Sequence, residues 1–238
     1  MRDRTVVVVG ASSGMGLATS RSAWRAGASV WMVARDLPRL EQAAAGVGGE
    51  RLQVLSADIG SEEGRARIVA AVECVDHLVV TAADLVYKPS RELQEAEVMR
   101  ALRSKVLGPY LLAAALAPKI AAGGSVTFVS GVAAERPIDG GSVTGMVNGA
   151  INAMVRGLAL ELSPIRVNAV SPGWVDTPFW AQVATPQRQE ALFTAMREKL
   201  PTRRIGTVDD VAQMIELAMR NRGVSGTTLY VDGGQRLV

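Results

Sequence analysis

The chain has few of the residues that build metal centres, disulfide frameworks or aromatic cores. Its 238 residues include one cysteine, Cys74, and one histidine, His77, and only 4% are aromatic. A single cysteine forms no internal disulfide, which is typical of a reducing compartment, so we expect a cytoplasmic location. A lone histidine without partner ligands predicts no metal site. With so few aromatic residues, Ala, Val and Leu must build the core, as in buried parallel strands.

Long apolar runs and blocks of like charge are also missing. The first apolar run breaks at Gly10, and no stretch reaches the roughly 18 apolar residues of a membrane span. The net charge is only +3, and the Lys and Arg residues are scattered. We therefore expect neither a membrane nor a nucleic-acid partner.

Short Val-rich segments alternate with segments of helical periodicity along the whole chain. Predicted strands cover Thr5–Val9, Ser29–Ala34, Leu52–Ser56, Leu78–Val80, Val126–Val129, Arg166–Val170 and Thr228–Val231. Predicted helices cover Gly14–Arg25, Ser61–Ala71, Glu95–Ile120, Val143–Leu162 and Val208–Arg220. This alternation implies right-handed crossovers, and it predicts one α/β domain over residues 1–238 with a parallel sheet covered on both faces.

A glycine-rich turn follows the first predicted strand. Gly10 ends the strand, and Gly14 and Gly16 open the following helix. Glycines here permit a tight turn and a close approach of the backbone to a pyrophosphate, while the helix N-terminus offers unpaired N–H groups. A plain tight turn is the alternative, but the strand–turn–helix context favours a dinucleotide site.

Four motifs together resemble those of the short-chain dehydrogenase/reductase superfamily: VGASSGMG at 9–16, ADI at 57–59, ELSPIRVNAVSPGWVDTP at 161–178 and YVDGG at 230–234. The resemblance covers nearly the whole chain. It implies a Rossmann fold with a seven-stranded parallel, doubly wound sheet, a substrate lid at about 174–200, and NAD(P)(H) across the carboxyl ends of the strands. Beside the glycines, it implies cofactor contacts at Ser12, Ser13, Met15, Asp58, Ile59, Ala82, Asn148, Pro172, Gly173, Val175 and Thr177.

The end of the second strand indicates which cofactor binds. NAD-preferring folds place an acid there, but this chain has Ala34 followed by Arg35. The guanidinium of Arg35 suits a 2′-phosphate, so we expect NADP(H). The alternatives are a surface arginine near Asp36 and, for Asp58, a carboxylate that caps the helix beginning near Ser61.

The catalytic segment departs from the family pattern. Aligned with the family, the usual tyrosine position is Thr144, the usual lysine position is Asn148, and the usual serine position is Gly131, with Ser130 one residue short. No tyrosine lies in this predicted helix, and a threonine hydroxyl is too weak an acid to replace a tuned phenol. We expect Ser130 and Thr144 to position a substrate by hydrogen bonds, and Asn148 to bind the nicotinamide ribose.

A lysine occurs where the resemblance implies an active-site asparagine. Lys105 falls on an apolar helical stripe with Val98, Leu102, Pro109, Leu112 and Leu116. Such a lysine either extends to solvent or lies in a polar site, where burial would lower its pKa and make it a proton donor. We take Lys105 as the first candidate for the acid.

Two classes of function remain open from these residues. The first is an NADP(H)-dependent oxidoreductase acting on a carbonyl, enone or quinone. The second is an NADP(H)-binding protein with little turnover and a sensing or regulatory role. The lid residues Trp174, Phe179, Trp180 and Phe193 indicate an apolar or aromatic small-molecule substrate, unless they only pack within the lid. The Ala- and Leu-rich helices predict a homodimer or homotetramer.

Overall fold

A seven-stranded parallel sheet with the order β3-β2-β1-β4-β5-β6-β7 forms the centre of the molecule. The structure is a computed structural model that describes residues 1–238, except for the side chain at position 182. The strands are β1 (Thr5–Val9), β2 (Ser29–Ala34), β3 (Leu52–Ser56), β4 (Val75–Val80), β5 (Ile120–Val129), β6 (Arg166–Pro172) and β7 (Thr228–Val231). The predicted α/β fold, with its seven parallel strands, is confirmed.

Helices connect the strands, as parallel pairing requires. They are α1 (Gly14–Arg25), α2 (Leu37–Ala45), α3 (Glu62–Ala71), α4 (Glu95–Leu102), α5 (Gly108–Leu116), α6 (Ser142–Glu161), α7 (Trp180–Val183), α8 (Pro186–Lys199) and α9 (Val208–Arg220). Among the described residues, no helix is both long and apolar enough to cross a bilayer.

The central strand β1 contributes to a core on each face of the sheet, because successive residues of a strand point to opposite sides. Val7 and Val9 pack with residues of α3, α5 and α6 on one face. Val6 and Val8 pack with residues of α1, α2 and α9 on the other. Both faces of the sheet are therefore covered, as in a doubly wound fold.

The long helix predicted over Glu95–Ile120 is not continuous. A π-helical turn at Arg103–Leu107 separates α4 from α5, which ends at Leu116. Pro109 lacks the N–H that would bond to the carbonyl of Lys105, so the regular ladder is interrupted at this turn. The helix prediction missed this because periodicity does not register one lost hydrogen bond.

Several other boundaries differ from the sequence-based expectation. β4 begins at Val75, three residues before its predicted start, and β5 begins at Ile120, also before its predicted start. The prediction missed both starts because they contain polar or small residues. Helix α2 was missed, although Asp36 caps its N-terminus by accepting a 3.0 Å hydrogen bond from Arg39. The lid was predicted as a region at about 174–200 without its helices α7 and α8.

Candidate functional site

The glycine turn lies at the carboxyl end of the central strand β1. Gly10 and Gly14 have φ angles of +92° and +55°, which favour glycine. The hydroxyl of Thr81, just after β4, lies 3.1 Å from the carbonyl of Val9 and 3.2 Å from that of Gly10. A Cβ at Gly16 would overlap the Gly10 carbonyl oxygen. The Thr81 contacts and the close approach of Gly16 to the Gly10 carbonyl thus hold the turn in a tight conformation.

The N-terminus of α1 is available to a ligand. Ser13 occupies the N-cap position but makes no side-chain capping hydrogen bond. The first N–H groups of this helix therefore have no partner from the cap side chain, and the helix dipole favours an anion there. Thr177 and Pro178 lie across from Gly14, about 3.9 Å from a Cβ built on it. The structure thus brings Thr177 beside the glycine turn.

Arg35 does not project freely at the end of β2. Its two terminal nitrogens, Nη1 and Nη2, donate hydrogen bonds of 3.0 and 2.9 Å to the two carboxylate oxygens of Asp84. This contact with Asp84 raises the pKa of Arg35. Position 34 holds no acid, but Asp84, in the segment after β4, places a carboxylate against Arg35. Sequence reasoning did not identify Asp84, although its position shortly after the end of a predicted strand could have pointed to it.

The segment after β3 has a carboxylate that does not cap a helix. Asp58 Oδ1 accepts a 2.8 Å hydrogen bond from the N–H of Gly60, whereas Ser61 caps α3 by accepting one from Gly64. The alternative that Asp58 caps this helix is therefore wrong. Asp58 is exposed and Ile59 is buried, so the carboxylate faces solvent at the carboxyl edge of the sheet.

Lys105 is the most unusual charge in the molecule. It lies in the π turn, is 5% exposed, and its Nζ donates a 3.2 Å hydrogen bond to the carbonyl of Ser130. Burial lowers the pKa of Lys105 to about 8. The alternative that its ammonium extends to solvent is therefore wrong. An ammonium has three donors, and this is the only side-chain contact among the described residues that engages one of them.

Two hydroxyls near this lysine are committed to main-chain acceptors. Ser130 Oγ donates to the carbonyl of Asn148 at 3.0 Å, and Thr144 Oγ1 donates to the carbonyl of Val86 at 2.8 Å. Each proton is used within the fold, so neither hydroxyl has one left for a substrate. The expectation that Ser130 and Thr144 position a substrate is thereby restricted to their remaining acceptor capacity.

Asn148 presents a buried oxygen without a partner. It lies one turn after Thr144 on α6 and is 3% exposed, and its Oδ1 has no hydrogen-bond partner among the described residues. A Cβ at Gly131 would lie 2.7 Å from the Asn148 amide nitrogen, so a larger residue there would displace this side chain. Gly131 therefore lies against the side chain of Asn148, whereas Ser130 contacts its main-chain carbonyl. A buried acceptor left unpaired is costly, which fits a donor supplied by a ligand.

The aromatic residues of the lid mostly pack on one another. The ring centroids of Trp174 and Trp180 are 4.7 Å apart, and those of Trp180 and Phe193 are 5.1 Å apart. These three residues form a small core with Leu200, Ile205 and Met196. Phe179 lies 6.2 Å from the ring of Trp180 and 5.8 Å from that of Tyr87. All four aromatics therefore have packing partners within the lid, which favours the alternative that they pack on one another.

The loop after β4 contacts both α6 and the lid. Burial raises the pKa of the Tyr87 phenol, and the neighbouring Thr144 hydroxyl acts in the other direction. Tyr87 therefore remains protonated near neutral pH. The contacts Thr144–Val86 and Tyr87–Phe179 join α6, this loop and the lid.

The single histidine lies away from this edge. Nδ1 of His77 is 2.8 Å from Ser125 Oγ inside the sheet, and burial lowers its pKa to about 4, so the ring is neutral. Within the described part of the chain, no group of three or more His, Cys, Asp or Glu side chains is placed to hold a metal ion.

Comparisons with known proteins identify the family and agree with the fold. The family model described as enoyl-(acyl carrier protein) reductase matches residues 10–236. The chain is 30% identical to the short-chain dehydrogenase/reductase ucsE of Acremonium sp, over 98% of this chain and 96% of that protein. A solved short chain dehydrogenase/reductase family protein is 32% identical, with a TM-score of 0.90 over 100% of this chain and 99% of that one. A small-chain dehydrogenase solved in complex with NADPH is 27% identical, with a TM-score of 0.82 over 99% of both chains.

Proposed function

Because the chain belongs to the short-chain dehydrogenase/reductase family, we propose that it is an NADP(H)-dependent oxidoreductase acting on a small carbonyl, enone or quinone. One observation carries this proposal: a buried lysine ammonium and the unpartnered Asn148 oxygen lie at the same sheet edge as the open glycine turn. The lone, exposed Cys74 supports the proposal of a reducing, cytoplasmic location.

The residues at this edge fit a dinucleotide. The glycine turn and the uncapped N-terminus of α1 suit a pyrophosphate. Arg35 suits a 2′-phosphate, and the unpartnered oxygen of Asn148 suits a ribose hydroxyl. We further propose that the adenine contacts Asp58, Ile59 and Ala82, and that the nicotinamide end lies near Pro172, Gly173, Val175 and Thr177. When bound, NADP(H) supplies or accepts a hydride.

Lys105 is the residue that we propose as the acid. Its ammonium uses one donor on Ser130, and its remaining donors can hold a substrate oxygen and release a proton to it. A pKa of about 8 keeps most of the lysine protonated at neutral pH, yet makes it a stronger acid than an ordinary lysine. Desolvation in the π turn is thus the physical basis of the proposed acidity.

A second function, an NADP(H)-binding protein with a sensing or regulatory role, is favoured by one specific observation. The hydroxyls of Ser130 and Thr144 donate hydrogen bonds to main-chain carbonyls, so neither residue supplies an acid. In such a protein Lys105 would hold the Ser130 carbonyl without transferring a proton.

A screen separates the two functions. The full-length protein is mixed with NADPH, and cofactor oxidation is followed across ketones, enones and quinones, with NADPH binding measured by calorimetry in parallel. An enzyme consumes NADPH with at least one of these substrates. Binding without turnover on all three classes would favour the second function, and absence of NADPH binding would overturn both.

A further inference from the structure

The Arg35–Asp84 ion pair crosses the mouth of the glycine turn. Strand β1 lies between β2 and β4, since Val9 pairs with Val33 on one side and Val80 on the other. Arg35 follows β2 and Asp84 follows β4, so their contact spans two strand spacings, about 9–10 Å, over the end of β1. That end is where Gly10 begins the turn. A ligand entering the turn along its open side meets this pair.

The main chain is fixed at both ends of the pair. Ser56 Oγ donates a 2.9 Å hydrogen bond to the carbonyl of Arg35, and the N–H of Asp84 donates a 3.0 Å hydrogen bond to Ser104 Oγ. Ser104 is buried in the π turn beside Lys105. The backbone on either side therefore stays in place, and opening the crossing requires only that the long Arg35 side chain swing away.

The pair is strong in geometry but accessible to a competitor. The two terminal guanidinium nitrogens each donate a hydrogen bond to one carboxylate oxygen, which is a paired geometry that a phosphate can also accept. The Arg35 side chain is 60% exposed and that of Asp84 is 21% exposed. Exposed ion pairs contribute little free energy, so an anionic ligand can replace the carboxylate.

We infer that Asp84 is an internal competitor for the nucleotide site: its pair with Arg35 is a clasp over the glycine turn, and the 2′-phosphate of NADP(H) opens it by taking Asp84's place on Arg35. This inference rests on the proposed function. A nucleotide without the 2′-phosphate must break the clasp and receives no ion pair in return. The clasp thus lowers the affinity for every dinucleotide. Only a dinucleotide that carries the 2′-phosphate regains this loss, because it forms an ion pair with Arg35.

The test compares NADH and NADPH binding to wild type, Asp84→Asn and Arg35→Ala by calorimetry. Either substitution abolishes the clasp, so each should tighten NADH binding about three- to tenfold. NADPH should bind more tightly to Asp84→Asn and more weakly to Arg35→Ala. Asp209→Asn is the matched control for Asp84→Asn, because it breaks the exposed Arg21–Asp209 pair between α1 and α9 and changes the net charge by the same amount. It should leave both affinities unchanged, and circular dichroism verifies the fold of each variant.

Three results would overturn the clasp. Equal NADH affinity in wild type and both variants would show that nothing has to be opened, while NADPH binding and the proposed function would stand. Tighter NADH binding in Asp84→Asn but not in Arg35→Ala would assign the effect to repulsion by the carboxylate alone. Absence of dinucleotide binding in every variant would overturn the clasp together with the proposed function.

Discussion

The Nζ atom of the buried Lys105, which is 5% exposed, lies 3.2 Å from the carbonyl oxygen of Ser130. The lowering of its pKa from 10.5 to about 8 corresponds to about 3 kcal/mol of unfavourable burial of charge. At pH 7 the Lys105 ammonium is in water in the unfolded chain, whereas it is buried in the folded chain. Lys105 therefore destabilises the fold at neutral pH.

We predict that Lys105→Met stabilises the fold at pH 7 by up to about 3 kcal/mol, measured by urea unfolding. The folded-state pKa is depressed, so the wild type binds fewer protons when folded, and the penalty diminishes as pH rises from about 8 to 10.5. The difference between variant and wild type should shrink over that range. Lys199→Met, at an exposed site on α8, should change stability by less than about 0.5 kcal/mol. A destabilised Lys105→Met with an unchanged gap at high pH would contradict the burial argument.

A second prediction concerns turnover. With a substrate found by the screen, activity should fall as pH rises through about 8, because the acid form of Lys105 is lost. Lys105→Met should lower kcat about 10²–10⁴-fold and leave NADPH affinity largely intact. Steady-state kinetics over a pH series with parallel binding measurements checks this. Full activity in Lys105→Met would exclude the lysine as the acid.

The third prediction is that wild type binds NADPH more tightly than NADH. Replacing Arg35 with Lys keeps the charge but loses the paired donors that now hold both Asp84 oxygens, so the preference should shrink about threefold or more. Arg35→Ala should abolish the preference. Titration with both cofactors measures this preference, and equal affinities for NADH and NADPH in the wild type would contradict the proposed role of Arg35.

The fourth prediction concerns the glycine turn. A Cβ at Gly16 would overlap the Gly10 carbonyl and lie 2.6 Å from Thr81 Oγ1, so Gly16→Ala should destabilise the fold by about 1–3 kcal/mol and weaken cofactor binding. Gly149→Ala, in helix α6 with nothing within 4 Å of its Cβ, should stabilise by up to about 1 kcal/mol. Urea unfolding of both variants tests the contrast, and equal effects would contradict the close packing at Gly16.

The fifth prediction concerns assembly, which we propose to be a homodimer or homotetramer. Large apolar side chains are exposed on α6 and in the π turn: Leu160 is 82%, Leu107 48% and Met146 47% exposed. Met146 and Leu160 are two heptads apart and so share a face of α6. Light scattering should give a multiple of 25.1 kDa, and Leu160→Lys should shift the mass downward. A wild-type monomer at micromolar concentration would refute this.

Much of the fold followed from local pattern. Val-rich runs such as Thr5–Val9 and the turn at Gly10 identify a buried strand and its exit without any knowledge of distant residues. The apolar stripe through Lys105 left open whether its ammonium extends to solvent or lies in a polar site, and the folded structure buries it. In contrast, β4 and β5 were predicted too short, since pairing between Val75 and Ile120 is decided by partners far apart in sequence.

The amino-acid sequence by itself determined the parallel sheet, the glycine turn and the absence of a tyrosine from α6, because each depends on residues close together in the chain. Only the tertiary structure decided what the charged and polar groups do. Asp84 lies 49 residues from Arg35, yet occupies its guanidinium, and Ser130 lies 25 residues from Lys105, yet its carbonyl accepts the buried ammonium. Hydrogen bonds and burial depend on which strand ends become neighbours, and the strand order of the folded sheet sets that.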